Sequence, residues 1–218
     1  MLEVRDLAKS FGAAPLFEAV AFGVAPGELV ALVGESGSGK STLLNILAGL
    51  ERPDAGSVHL AGQALPFGND EALALWRRAH VGFVFQAFHL LPYLTVSENV
   101  ALPLVLNGVP SGERAGRVLA ALQSVGMARH AGRKPGTLSG GEAQRVAIAR
   151  SVVHGPRLLL ADEPTGNLDE ANAAQVLDTL RSEVKRSGAA GLLVTHSPVA
   201  AAAADRVLRL SGRHLAAA

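Results

Sequence analysis

The chain has 218 residues, which suits one domain, or one domain with an added lobe, and is long enough to bury a sizeable core. Hydrophobic residues make up 49% of it and charged residues 18%, so a folded globular protein is expected rather than a disordered one. A net charge of +1 argues weakly against nucleic acid as the main partner, and the lack of cysteine excludes disulfides, cysteine metal sites and thiol catalysis.

The N-terminal residues alternate apolar and charged side chains and contain no apolar core of a secretory signal. No run of about 18 uncharged apolar residues occurs, so no membrane-spanning helix is expected. If the protein serves a membrane, we therefore expect it to act there as a peripheral subunit.

The first third of the chain predicts strands and turns. The alternation of apolar and charged residues over 2–7 is typical of an exposed strand, and the apolar run 28–33 predicts a buried strand that ends at Gly34. Leucines and an isoleucine at helical spacing predict a helix over 41–50. Residues 57–60 predict an edge strand.

The rest of the chain predicts helices first and then an alternation of strands and helices. From about residue 71 to residue 150 the pattern is mostly helical. Residues 157–161 and 191–195 predict buried strands, with a helix over 171–185 between them, and short connections then indicate a mostly parallel sheet with right-handed crossovers. We expect one α/β domain over 1–218, with a core from about 1–85 and 155–218 and a helical subdomain over about 86–154.

Residues 34–41 match the pattern G-x-x-x-x-G-K-[ST] between a predicted strand and a predicted helix. The glycines let the backbone wrap a polyphosphate, and the amide groups and the helix N-terminus then face the anion. Lys40 would add a charge for the outer phosphates, and Ser41 a hydroxyl for Mg²⁺. The alternative is a glycine-rich turn that only caps a helix. The predicted nucleotide-binding residues here are Gly34, Glu35, Ser36, Gly37, Ser38, Gly39, Lys40, Ser41 and Thr42.

Two carboxylates, Asp162 and Glu163, follow the predicted strand 157–161. The carboxyl end of a parallel strand is where α/β folds bind ligands. Asp162 would hold Mg²⁺ directly or through water, and Glu163 would act as the general base that orients the attacking water. The alternative is a solvated turn at the end of a strand.

Several further residues have a functional and a simpler structural interpretation. Ser139, Gly140, Gly141 and Glu142 precede a helical run and could form a second anion site, or a simple helix cap. Gln86 follows an apolar run and could join the metal sphere, or remain a loop glutamine. His196 could donate to a terminal phosphate, or only close a strand. Phe11 could stack on an adenine, or be an ordinary exposed or core side chain.

Five elements stand in one order along the chain: the loop at 34–41, Gln86, the element at 138–142, the acidic pair at 162–163 and His196. The sequence Asn-Leu-Asp at 167–169 lies between the last two of them. In that order the chain resembles the ATP-binding-cassette (ABC) ATPases over essentially its whole length. The Leu-Ser-Gly-Gly element at 138–141 is the family's most specific mark. The resemblance implies a RecA-like phosphate-loop core with a mostly parallel sheet, an N-terminal antiparallel β region and an inserted α-helical subdomain.

The resemblance also implies a role for each residue. Glu163 is the catalytic base, His196 the switch histidine and Asp169 part of the loop that links two active sites. Gln86 senses Mg²⁺ and couples to a membrane partner, and Phe11 stacks on the base. Ser139, Gly140 and Gly141 bind the γ-phosphate of ATP held by a second subunit, and Glu142 belongs to the same nucleotide-binding element.

Under this resemblance the chain is an active ATPase with ATP and Mg²⁺ as cofactors. Its expected partners are an integral membrane permease and a second copy of itself, with no nucleic acid, and its expected place is the cytoplasmic face of the inner membrane. The stretches 164–169 and 98–104 resemble the subgroup of lipoprotein-release, macrolide-export and cell-division ATPases. Substrate and direction of transport stay open.

Three other functions compete with this interpretation. An ATP-gated clamp could regulate a cell-wall enzyme through a cell-division-type membrane partner without transport. A soluble cassette ATPase of DNA repair or translation usually has a coiled-coil insertion or two cassettes in one chain, and neither occurs here. A small-molecule kinase would leave the element at 138–142 without a role.

Overall fold

Two β-sheets organise the fold, which a computed structural model describes over residues 1–12, 14–211 and 213–217. The strands in these residues are β1 (Leu2–Phe11), β2 (Ala14–Val24), β3 (Leu29–Gly34), β4 (Ala55–Leu60), β5 (Gln63–Ala64), β6 (Val81–Phe85), β7 (Leu158–Asp162), β8 (Ala190–Val194), β9 (Arg206–Ser211) and β10 (His214–Ala217). The helices are α1 (Lys40–Leu47), α2 (Asp70–His80), α3 (Val96–Leu106), α4 (Ser111–Ser124), α5 (Gly140–Val152), α6 (Glu170–Ser187) and α7 (Pro198–Ala202).

The larger sheet has the order β10-β9-β3-β8-β7-β6, and all its pairs are parallel except β10 with β9. The smaller sheet has the order β2-β1-β4-β5 and is antiparallel throughout. A mostly parallel core with an antiparallel N-terminal region confirms the predicted fold class. It also brings the carboxyl ends of β3, β6, β7 and β8 to one edge of the sheet, because parallel strands run in the same direction.

The central strands are buried because helices and the second sheet cover both faces of the parallel sheet. Neighbouring residues of β7 point to opposite sides. Leu158 and Leu160 join the core that contains α1 and the smaller sheet, whereas Leu159 and Ala161 join the core that contains α3 to α6. This two-sided burial explains why the sequence shows a continuous apolar run rather than an alternating one.

Two expectations for the N-terminal half were wrong. β4 is not an edge strand, because it lies between β1 and the two-residue strand β5. The strand at 2–7 is not exposed on its apolar side, since Leu2 and Leu7 are fully buried in the core between the sheets. The region from about residue 71 to residue 150 is mostly helical, as the pattern indicated, and β6 is the strand that interrupts it and joins the parallel sheet beside β7.

The segment 86–154 holds α3, α4, α5 and two 3₁₀ turns, Ala128–His130 and Pro135–Thr137. Its apolar side chains share one hydrophobic core with the parallel sheet, so the segment packs directly against the strands. The division of the chain at residues 86 and 154 stays a prediction. No helix in the described residues is both long enough and apolar enough to cross a membrane.

Candidate functional site

The loop between β3 and α1 depends on glycine at several points. Gly37 and Gly39 have φ values of 79° and 98°, a region that side-chain-bearing residues rarely occupy. A Cβ on Gly39 would also lie 2.8 Å from Leu16 Cγ, and a Cβ on Gly34 would collide with the backbone of Leu210. The loop is therefore shaped by positions where only glycine fits.

Lys40 begins α1 and turns its side chain back over the loop. Its ammonium group donates to the carbonyls of Gly34 at 2.9 Å and Glu35 at 2.8 Å. The Ser38 hydroxyl is buried and has no hydrogen-bond partner among the residues that the structure describes. The loop thus carries the Lys40 ammonium group over its backbone and the Ser38 hydroxyl within it.

The loop opens onto a cleft of about 370 Å³, which we call the phosphate cleft. Residues from the ends of β3, β7 and β8 and from their following loops converge there, together with Leu16 of β2. The cleft is lined by Leu16, Gly34, Ser36, Gly37, Gly39, Lys40, Ser41, Thr42, Asp162, Glu163, Val194 and His196. The structure therefore brings the predicted loop, the acidic pair and the histidine to one place.

Asp162 ends β7 and is half-buried at the floor of the phosphate cleft. Burial raises the pKa of its carboxyl group, and the charge of Glu163 adds to the effect. A hydrogen bond with the Ser41 side chain and the charge of Lys40 act in the opposite direction. An ionised Asp162 therefore gains from a nearby cation, which would offset the cost of its burial.

Glu163 is held by two side chains from the end of β8. His196 Nδ1 lies 2.7 Å from Glu163 Oε1, and the Thr195 hydroxyl donates to Glu163 Oε2 at 3.2 Å. The Glu163 amide donates to the Val194 carbonyl at 3.0 Å, and the residue adopts a φ of 46°. The backbone turns sharply at this point, and both carboxylate oxygens face the neighbouring strand end.

Gln86 is not among the residues that line the phosphate cleft in the described part of the chain. Its side-chain amide donates to Asn167 Oδ1 at 3.3 Å, and Asn167 Nδ2 donates to the Gln86 carbonyl at 3.3 Å. A Cβ on Gly166 would lie 2.7 Å from Gln86 Nε2, so the glutamine lies against the Gly166 backbone. The side chain is directed to the segment after Glu163.

Ser139 caps α5, and its hydroxyl accepts from the Glu142 amide at 3.3 Å while Glu142 accepts from the Ser139 amide at 2.9 Å. The hydrogen bond from the Ser139 amide holds the pKa of Glu142 below its usual range. Gly140 and Gly141 follow, and none of these four residues lines the phosphate cleft in the described structure.

Phe11 and Asp169 also lie outside the phosphate cleft as described. Phe11 ends β1 with 57% of its surface exposed, and the Lys9 ammonium lies 5.4 Å from the centre of its ring. Asp169 caps α6, and its carboxylate accepts from the amide and side chain of Asn172. These hydrogen bonds lower the pKa of Asp169.

The family model described as ABC transporter matches residues 17–166, which is more than half of the chain. The chain belongs to the ABC transporter family. The cassette is therefore an ATP-binding and ATP-hydrolysing enzyme, as its sequence predicted. The match includes the phosphate loop, Gln86, the element at 138–142 and both carboxylates.

Curated relatives cover almost the whole cassette. The lipoprotein-releasing system ATP-binding protein LolD of Ruegeria pomeroyi is 49% identical over 216 residues, which is 99% of this chain and 95% of the relative. An uncharacterized ABC transporter ATP-binding protein of Mycobacterium tuberculosis is 47% identical over 90% of this chain and 79% of its own length. The predicted resemblance to the lipoprotein-release subgroup is confirmed.

A solved structure has the same architecture. The dimeric structure of MJ0796, a bacterial ABC transporter cassette, superposes with a TM-score of 0.85 at 35% identity, covering 99% of this chain and 96% of that one. A second dimeric structure of MJ0796 represents a post-hydrolysis state bound to ADP and Pi.

Sequence reasoning missed three residues that support the cassette's site. Leu16 lines the phosphate cleft from β2 of the other sheet, Thr195 bonds Glu163, and Asn167 pairs with Gln86. Leu16 carries no local signal, since its contact is with Gly39 in the loop after β3, which is distant in the chain. The position of Thr195 beside His196 and of Asn167 before Asp169 could have drawn attention to both.

Proposed function

We propose that the cassette powers a separate membrane permease by binding Mg·ATP between two copies of itself and hydrolysing it. The observation that carries the proposal is the convergence of the phosphate loop, Asp162, Glu163 and His196 on one cleft. The proposed role is export, or extraction from the membrane, of a lipoprotein, peptide or macrolide-like substrate. The name of the Ruegeria relative favours lipoprotein release within that range.

The residues present fit Mg·ATP on three structural grounds. The loop has a glycine-shaped backbone that leaves room for a polyphosphate, and Lys40 provides a cation directly above it. The unpartnered hydroxyl of Ser38 lies within the loop. The carboxylate of Asp162 and the hydroxyl of Ser41 form a hard oxygen set of the kind that Mg²⁺ prefers.

The chain's own groups then have distinct tasks. Mg·ATP, when bound, supplies a polarised γ-phosphoryl group whose charge the metal partly neutralises. Lys40 would leave the carbonyls of Gly34 and Glu35 to meet the outer phosphates. Glu163 would accept the proton of the attacking water, because it lines the cleft. Thr195 and His196 would hold that carboxylate in one orientation.

A second copy is part of the proposal because the element from Ser139 to Glu142 does not reach its own phosphate cleft. The helix start at α5 is a favourable place for an anion. A head-to-tail partner would place this helix start over the γ-phosphate, and phosphate loss would weaken the contact. The dimeric MJ0796 structure supports such an assembly for a similar cassette.

The proposal places the cassette on the cytoplasmic face of the inner membrane, bound to its permease. The membrane partner then decides whether ATP hydrolysis drives transport or gates another enzyme. Both uses would share the same phosphate cleft.

The nucleotide part is tested by titrating a fluorescent ATP analogue with Mg²⁺ into the parent cassette and into Lys40→Ala. Tight binding by the parent and a loss of more than about tenfold in Lys40→Ala are expected. Equal binding by both proteins would contradict the proposed site. An exposed lysine that does not line the phosphate cleft as described, Lys134, provides the matched control Lys134→Ala.

The partner part is tested by purifying the tagged cassette from its native membrane and identifying the integral protein that accompanies it. Reconstitution of that pair in liposomes should couple ATP hydrolysis to release of a lipoprotein. Hydrolysis with no released or transported molecule, together with activation of a cell-wall hydrolase, would replace transport by gating.

A further inference from the structure

The backbone that carries Gln86 is fixed by helix α5. The buried Gln144 side chain donates to the Phe85 carbonyl at 3.1 Å, immediately before Gln86. The Arg150 guanidinium donates to the carbonyls of Phe88 at 3.0 Å and His89 at 2.6 Å, just after it. With its neighbours held on both sides, Gln86 can change its surroundings chiefly by turning its side chain.

The position of this backbone puts the Gln86 side chain near the phosphate cleft. Phe85 of β6 pairs with Asp162 of β7 in register. Adjacent strands lie about 4.8 Å apart, and Gln86 follows directly after this pair. A glutamine side chain is long enough to cross that gap, yet the structure directs it to Gly166 and Asn167 instead.

The contact with Gly166 and Asn167 has two independent parts. The amides of Gln86 and Asn167 exchange two hydrogen bonds, side chain to side chain and side chain to backbone. The side chain of Gln86 also lies so close to Gly166 that a methyl group there would collide with it. Gly166 in turn donates its amide to the Glu163 carbonyl at 3.1 Å, so the contact is tied to the proposed catalytic base.

We propose that Asn167 is a positioning residue that holds the Gln86 side chain away from the metal end of the phosphate cleft until this pair opens. The proposal rests on the proposed function, because it takes the cleft to be a Mg·nucleotide site. Gln86 would then have two alternative partners, Asn167 and the metal. The apparent metal affinity is then the intrinsic affinity multiplied by the fraction of molecules in which Gln86 is not held by Asn167.

The expected effect is modest, because Gln86 and Asn167 are exposed and water competes for their hydrogen bonds. Releasing Gln86 should therefore increase metal-dependent nucleotide affinity by about threefold, on the order expected for one or two such bonds. The increase should require Gln86 itself, which separates this role from a general effect on the loop.

The experiment measures the dissociation constant of a fluorescent ADP analogue with Mg²⁺ and with EDTA, and takes the ratio of the two as the metal enhancement. Asn167→Ala removes the amide partner, and Gly166→Ala inserts a methyl group where Gln86 lies. Gly166 does not have a positive φ, so alanine is compatible with its backbone. Gly132→Ala is the matched control, since a Cβ there meets no atom within 4 Å.

Both Asn167→Ala and Gly166→Ala are expected to raise the metal enhancement about threefold over the parent. Gln86→Ala should lower it, and adding Asn167→Ala to Gln86→Ala should change nothing further. A rise of the same size without Gln86, or no rise in either single variant, would overturn the proposal.

This outcome is distinguishable from failure of the proposed function. If the parent cassette bound the ADP analogue equally well with Mg²⁺ and with EDTA, or if Lys40→Ala bound it as well as the parent, the Mg·nucleotide site itself would be contradicted. Circular dichroism and thermal unfolding of each variant verify that a changed ratio comes from folded protein.

Discussion

The carboxylate of Glu163 and the imidazole of His196 lie 2.7 Å apart although 33 positions separate them in the chain. The contact exists because β7 and β8 are parallel neighbours, Glu163 is the first residue after β7 and His196 is the second residue after β8. His196 is largely exposed, whereas Glu163 is mostly covered. The pair thus presents a covered carboxylate beside an imidazole that a nucleotide can reach.

Replacing Glu163 by glutamine should preserve nucleotide binding and reduce hydrolysis by about 10²–10⁴-fold, because an amide cannot take the proton of the attacking water. ATP should then accumulate between two copies and increase the dimer fraction. Phosphate release measures the first effect, and light scattering during size-exclusion chromatography measures the second. Glu113→Gln, on the exposed first turn of α4, is the control. Near-normal turnover in Glu163→Gln would refute the catalytic assignment.

Asp162→Asn should raise the melting temperature of the nucleotide-free protein and reduce Mg²⁺-dependent hydrolysis by about tenfold or more. Burial raises the pKa of Asp162 above its ordinary value of 3.8, so ionising this group costs stability in the folded protein. The stability of the parent relative to Asp162→Asn should fall as pH rises from 3.8 through the raised pKa, and stay constant above it. Thermal unfolding across a pH series tests this. An advantage in melting temperature of Asp162→Asn over the parent that grows toward low pH would contradict the prediction.

Gly141→Ala should reduce ATP turnover at least about tenfold, because a displacement of ~1 Å in a functional segment can cost far more. A Cβ at this position would lie 2.9 Å from Asn172 Cγ, and Asn172 is hydrogen-bonded to Asp169 at the start of α6. The substitution therefore moves the segment proposed to link two sites. Gly136→Ala is the control, since a Cβ there meets open space. Equal turnover in both variants would argue against this coupling.

Asp205→Asn should lower the free energy of unfolding by about 1–2 kcal/mol, as expected for weakened hydrogen bonds to a carboxylate. The Asp205 carboxylate accepts from the Leu29 amide at 3.0 Å and from Arg181 at 2.9 Å, and so fixes the start of β3. The bond from Leu29 is the main cause of its lowered pKa.

This stabilisation is present above the ordinary value of 3.8 and is lost as pH falls through the lowered pKa. Urea unfolding of parent and variant between acid and neutral pH measures the effect. Asp178→Asn, exposed on α6, is the control. An identical acid dependence in the parent and Asp205→Asn would contradict the prediction.

The buried strands were predictable because their signal is local. β3, β7 and β8 are short apolar runs with turn residues or charges at their ends, and each lies within about one residue of its predicted position. Helix α5 was predictable for the same reason, since Ser139 and Glu142 form a capping box that the sequence displays.

Other elements could not be assigned from the sequence because their partners are distant in the chain. β6 is an apolar run within a helical region, and only its pairing with β7 makes it a strand. β4 became an inner strand through its pairing with β1 and β5. In each case a non-local hydrogen-bonding partner outweighed the local pattern.

The sequence by itself determined the chemical groups of this cassette and the local turn that presents Lys40, since both follow from residue type and short spacing. Only the tertiary structure decided which groups meet. Glu163 faces His196, while Gln86 meets Asn167, 81 positions away, rather than the phosphate cleft. The physical reason is that such distances follow from strand order and helix packing, which depend on how the whole core is buried.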